Sequence, residues 1–232
     1  MADYGYIEKN YNELLSEIRS YEKRYGRRIT LVAVTKSGSD EELTALAKAG
    51  VTDIGENRPT ELKRRGELLH SMGFYPRLHE IGNLQRNKVK LVIDSADLIH
   101  SVGSVRLAEE IDSQARRLGI KVPILIEINC AEEEAKGGIA PSMADEFCAF
   151  AKGLPGLSVR GVMTMGPAID PEKLRPYFKL TKKIFDTLGE KYGFDGEGIL
   201  SMGMSDSYRV AIEEGSTLVR VGRKLFDKNE GR

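Results

Sequence analysis

A single α/β domain over residues 1–232, folded as a (β/α)8 or TIM barrel with one extra N-terminal helix, is predicted by three observations. Eight short apolar runs alternate with seven segments of helical period, and the runs at 122–128 and 157–163 are almost continuously apolar and β-branched. Such alternation builds a parallel sheet covered by helices. Strands buried on both faces lose the in–out pattern of a half-exposed sheet. The 232 residues also suit one barrel. A doubly wound open sheet is the alternative, since strand order is invisible in a sequence.

Residues 4–25 read as the extra helix, with Ile7, Tyr11, Leu14, Ile18 and Tyr21 three or four apart. The strand runs follow at 29–35, 51–54, 75–79, 97–100, 122–128, 157–163, 197–201 and 217–221. Helical segments fall at 39–49, 57–71, 84–93, 103–118, 141–152, 170–190 and 205–214. Asp40 suits the cap of the first of these, and Gly50 follows its end. Pro141 suits a first helical turn and Gly153 the position after a last one.

Several function classes are disfavoured. Thirty-five basic residues balance 35 acidic ones, and tryptophan is absent. Neither a nucleic-acid footprint nor an aromatic stacking platform is expected. No apolar stretch approaches the ~20 residues of a membrane span. Met1-Ala2-Asp3-Tyr4 does not open a signal peptide, so a cytoplasmic location is expected. Cys130 and Cys148 lack metal or redox spacing and read as buried thiols. His79-Glu80 has no second histidine at zinc-motif spacing. His70 and His100 read as surface or structural residues, and Lys63-Arg64-Arg65 as a solvated helix face. The run from Glu132 to Gly138 reads as a polar, glycine-ended loop.

Barrel chemistry collects at the C-terminal ends of the strands. Lys36 stands there after the first run, where an amine can be desolvated and made nucleophilic. The alternative is an ordinary surface lysine. Ser201, Gly203 and Ser205 after the seventh run, and Gly222 and Arg223 after the eighth, sit where barrels often hold phosphate. They also suit plain helix caps. Arg220 is a cation that lowers the lysine pKa, a group that faces a ligand ring, or a partner for a carboxylate such as Glu56. An amine facing a phosphate site suggests Schiff-base chemistry.

The segments Val32–Lys36, Gly55–Asn57, His79–Lys88, Lys136–Gly138, Gly161–Met165, Leu200–Asp206 and Val219–Gly222 together resemble the YggS/PROSC family of pyridoxal phosphate homeostasis proteins. The resemblance spans nearly the whole chain in family order. It implies a barrel of the alanine racemase N-terminal type that binds pyridoxal 5′-phosphate (PLP) as a Schiff base on Lys36. The phosphate falls to Ser205, Ser201 and the backbone N–H groups of Gly222 and Arg223. Arg220 faces the pyridine nitrogen, and Asn57, His79 and Met165 line the ring pocket.

A permanent cation beside that nitrogen disfavours its protonation and weakens the ring as an electron sink. The residues after Phe226 leave no room for the β domain of alanine racemases. The resemblance therefore implies a PLP carrier and regulator of vitamin B6 homeostasis, a monomer, serving apo PLP-dependent enzymes. A racemase or decarboxylase on small amino acids, or a cofactor-free Schiff-base aldolase, is the alternative. Three places depart from the family pattern: Glu80 in place of Phe, Arg58-Pro59 in place of Tyr and Val, and Asp227 in place of Gly.

Overall fold

The computed structural model describes residues 4–133 and 137–228. Helix α1 (Gly5–Tyr25) precedes eight parallel strands. These are β1 (Thr30–Val34), β2 (Asp53–Glu56), β3 (Arg77–Glu80), β4 (Leu98–Val102), β5 (Val122–Ile128), β6 (Leu157–Thr164), β7 (Ile199–Ser201) and β8 (Leu218–Val221). Each strand pairs with its neighbours in sequence, and β8 pairs with β1, so the sheet closes into a barrel. The (β/α)8 expectation holds, and the open-sheet alternative does not.

The covering helices are α2 (Asp40–Lys48), α3 (Pro59–Ser71), α4 (Val105–Leu118), α5 (Ala144–Lys152), α6 (Arg175–Tyr192), α7 (Tyr208–Glu213) and α8 (Arg223–Phe226). After β3 the chain forms only a 3₁₀ turn over Arg86–Leu91, not the expected helix over 84–93. Val89 and Val92 are both buried. Their three-residue spacing stacks on one edge of a three-residue turn.

The cap of α2 is Ser39 rather than Asp40. Its side chain accepts from the Glu42 N–H, while Glu42 reaches back to the Ser39 N–H at 2.7 Å. This reciprocal pair satisfies two donors that the helix leaves orphaned. Gly153 ends α5 at φ −76°, so its glycine is not required by a left-handed turn. Gly50 does adopt one, at φ +87°.

Most of the core lies between the barrel and its helices. Inside the barrel, Val32, Leu98, Leu125, Met163 and Leu218 form a smaller apolar layer. Helix α1 packs against α2 and α8. Asn10 secures that contact by donating to the carbonyls of Leu225 and Asp227, at 3.3 and 2.8 Å. Both cysteines are buried and unbridged. Among the described residues, no helix is long and apolar enough to cross a membrane.

Candidate functional site

A cavity of about 770 Å³ opens at the C-terminal ends of the strands. Lys36, Asn57, Met165, Ser205, Arg220, Gly222 and Arg223 all line it. His79 and Ser201 do not; they lie below it, inside the barrel. Of the Glu132–Gly138 loop, residues 134–136, including Lys136, lie outside the described residues.

Lys36 follows the end of β1 and is exposed on the cavity wall, not sealed in an apolar pocket. The chain around it is held tightly. Arg65 of α3 donates to the Thr35 carbonyl at 2.6 Å and to the Gly38 carbonyl at 2.8 Å, one on each side of the lysine. Its guanidinium also lies 3.2 Å from Glu56, whose carboxylate accepts from the Thr35 hydroxyl. Arg65 is 6% exposed, so the expectation of a solvated face over 63–65 fails at this residue. It shares a buried stripe with Leu62, Gly66 and Leu69. The ring of Phe226 lies over Gly38: a methyl group there would sit 2.5 Å from a ring carbon.

Glu80 stands beside Glu56 in the β2–β3 register and is fully buried. One of its oxygens accepts from the Gly82 N–H at 3.1 Å; the other has no hydrogen-bond partner among the described residues. Burial, with Glu56 adding repulsion, pushes its pKa up to about 7. The folded state therefore holds this proton more tightly than the unfolded chain does. The contribution of Glu80 to stability falls as pH rises from the unfolded value near 4.5 to about 7, then levels. The expected loss is about 3 kcal/mol. Urea midpoints between pH 5 and 8 should show this slope in the native chain and a flatter line in Glu80→Gln.

Beside Lys36, because β8 pairs with β1, the β7 and β8 loops form a polar turn. Gly203 adopts φ +93°, and a Cβ there would meet Ala211 and Tyr208 of α7 at 2.5 and 2.9 Å. The buried Ser205 hydroxyl accepts from the Gly222 N–H at 3.2 Å. Arg223, at the start of α8, is exposed and paired with Asp206. A hydroxyl, loop N–H groups and an arginine in one turn suit an anion.

Arg220 occupies the cavity floor and is 4% exposed. It donates to Ser201 Oγ and, at 3.1 Å, to the Thr164 carbonyl. The alternative pairing with Glu56 does not form. Glu56 points outward to Arg65, while Arg220 points into the barrel. Burial pushes the Arg220 pKa down to about 10, and Glu127 opposes that shift.

Below the floor, Ser201 Oγ is 3.1 Å from His100 Nδ1. His100 Nε2 is 2.9 Å from His79 Nδ1, and His79 Nε2 is 2.9 Å from Asp53 Oδ1. His79 is thus a link in an interior chain rather than part of the cavity wall, which on that side is Ile81, Gly82 and Asn83. His100 is fully buried, structural rather than superficial; burial, His79 and Arg220 hold it well below the usual imidazole range. His70 is exposed.

Sequence reasoning missed Glu127 and Ser101, which also line the cavity. Glu127 follows Leu125 by two on β5, and that alternation into the lumen was the available signal. Burial raises its carboxyl pKa. Ser101 lies where the β4–β5 register shifts, and its buried hydroxyl has no hydrogen-bond partner among the described residues. A bulge re-aims side chains in a way no residue pattern announces.

Residues 10–229 match the model of the alanine racemase N-terminal domain. A pyridoxal phosphate homeostasis protein from Aquifex aeolicus is 37% identical over 201 residues, covering 86% of this chain and 87% of its own. The chain belongs to the pyridoxal phosphate homeostasis family. PipY from Synechococcus elongatus, solved with PLP bound, superposes on this family member with a TM-score of 0.82 at 26% identity, over 95% of this chain and all of its own. The alanine racemase of Clostridium difficile, at 19% identity and a TM-score of 0.72, shares the fold. The match covers 91% of this chain and 57% of the racemase. The family resemblance and the barrel expected from the sequence are therefore both shown.

Proposed function

We propose that this protein binds PLP through Lys36 and serves intracellular PLP homeostasis as a carrier. The supporting observation is that one cavity is lined by an exposed amine, an anion-suited turn on the neighbouring strands and a buried arginine on its floor. These groups fit the cofactor. Ser205, Gly222 and Arg223 hold the phosphate, Lys36 Nζ meets the aldehyde, and Asn57 and Met165 flank the ring. When bound, PLP supplies an electrophilic aldehyde, and its condensation with the lysine amine releases one water.

Arg220 supports carriage over demanding catalysis. A fixed cation on the floor disfavours a second positive charge on a ring nitrogen within its reach. An unprotonated ring is the poorer electron sink. Apo PLP-dependent enzymes receive the cofactor through the open mouth, where Lys36 and Met165 are both exposed.

Absorbance tests this assignment. Adding PLP to the native protein should produce a visible band that Lys36→Ala abolishes. An unchanged band in that variant would remove Lys36 from the site. Rapid deuterium exchange at the α-carbon of amino acids would overturn the carrier role in favour of a racemase or decarboxylase.

A further inference from the structure

The interior chain from Arg220 to Asp53 crosses five strands, β8, β7, β4, β3 and β2, and every member is almost wholly buried. Its ends are chemically unequal. An arginine only donates hydrogen bonds; a carboxylate only accepts them. Between these ends, neutral imidazoles and one hydroxyl have a single consistent arrangement. Arg220 donates to Ser201 Oγ, Ser201 donates to His100 Nδ1, His100 Nε2–H donates to His79 Nδ1, and His79 Nε2–H donates to Asp53.

Asp53 is itself held from the opposite end of the barrel. Thr52 donates to it at 2.7 Å, and Arg77, 60% exposed, lies 2.8 Å away. Glu127 is the other charged group facing Arg220, and the Thr164 carbonyl takes its second donor.

We propose that Asp53, His79, His100 and Ser201 are positioning residues for Arg220, a hydrogen-bonded line of fixed direction that holds the guanidinium in place on the cavity floor. The line ties a carboxylate at the far end of the barrel to the cation beneath the cofactor. Within the buried interior, a chain of satisfied polar groups is rigid and a broken one is costly. Arg220 cannot then swing toward Glu127 or follow a ligand, so its contact with the ring is set by the protein.

The role toward PLP rests on the binding proposed above; the direction of the line does not, and two measurements separate them. Histidine nitrogen NMR on the cofactor-free protein should find the ring proton of His79 and of His100 at Nε2, with Nδ1 the acceptor in both. A doubly protonated His79, or an Nδ1–H form of either ring, overturns the line. Ser201→Ala should weaken PLP binding about tenfold and displace the visible band, while Ser201→Thr restores both. Asp53→Asn, which leaves the cavity lining untouched, should redistribute the tautomers of both histidines together and displace the band in the same direction. Folded Ser201→Ala and Asp53→Asn proteins with native band position and affinity would refute the positioning role. Failure of the native protein to take up PLP would instead refute the binding proposal and leave the NMR result to decide the line.

Discussion

Arg65→Met is expected to destabilise the fold by about 3–5 kcal/mol, because it strips the partner from a buried carboxylate. Glu56 is 1% exposed and already has a raised pKa from burial, with Arg65 the nearby cation that opposes the shift. Methionine fills much of the space yet donates nothing. The Gly38 carbonyl loses its arginine donor in the same step, and the Thr35 carbonyl keeps only the Gly38 N–H. For a domain of this size the melting temperature should fall by roughly 10 °C, at about 2–4 °C per kcal/mol. Lys36 lies between the two carbonyls that Arg65 ties down, so PLP uptake should weaken even where the protein stays folded. Urea unfolding and a PLP titration check both parts. A loss below 1 kcal/mol would show that Glu56 is content without the arginine.

Gly82→Ala is expected to cost about 1–3 kcal/mol and to reduce PLP affinity at least tenfold. The added methyl carbon would lie 2.2 Å from the Asn57 carbonyl oxygen and 2.8 Å from its Cα. Backbone, unlike a flexible side chain, cannot step aside cheaply, so the β2 and β3 loops must part. Asn57 and Gly82 are neighbouring pieces of one cavity wall. Opening them misplaces the asparagine and disturbs the Gly82 N–H that serves Glu80. Equilibrium binding at a pH where both proteins are folded would measure the effect. Native affinity in the variant would mean that this wall does not touch the cofactor.

The barrel was legible because its cause is local. Apolar runs alternate with helical periods, which calls for a parallel sheet covered by helices; its closure rests on the β8–β1 pairing, which the sequence does not show. The strand-end residues Lys36, Arg220 and Ser205 were legible for the same reason, since strand ends point at one mouth. What sequence hid depends on register across the lumen. His100 lies in an unremarkable apolar run, and nothing in the chain says that Ser201, on a distant strand, comes within 3.1 Å of it. Asp53 lies in the expected strand run 51–54, yet nothing in that run says that its side chain faces His79. Arg65 was misread because two exposed cations precede it, although Leu62, Gly66 and Leu69 mark its side of α3 as the inner one.

Phe226 resting on Gly38 has a consequence for synthesis. The lysine loop and the anion turn are joined by a residue made near the end of the described chain, while Lys36 leaves the ribosome early. At ~5–20 residues per second, the nascent amine waits many seconds before its counterpart turn exists. The binding proposed for Lys36 thereby waits until translation has passed the last strand.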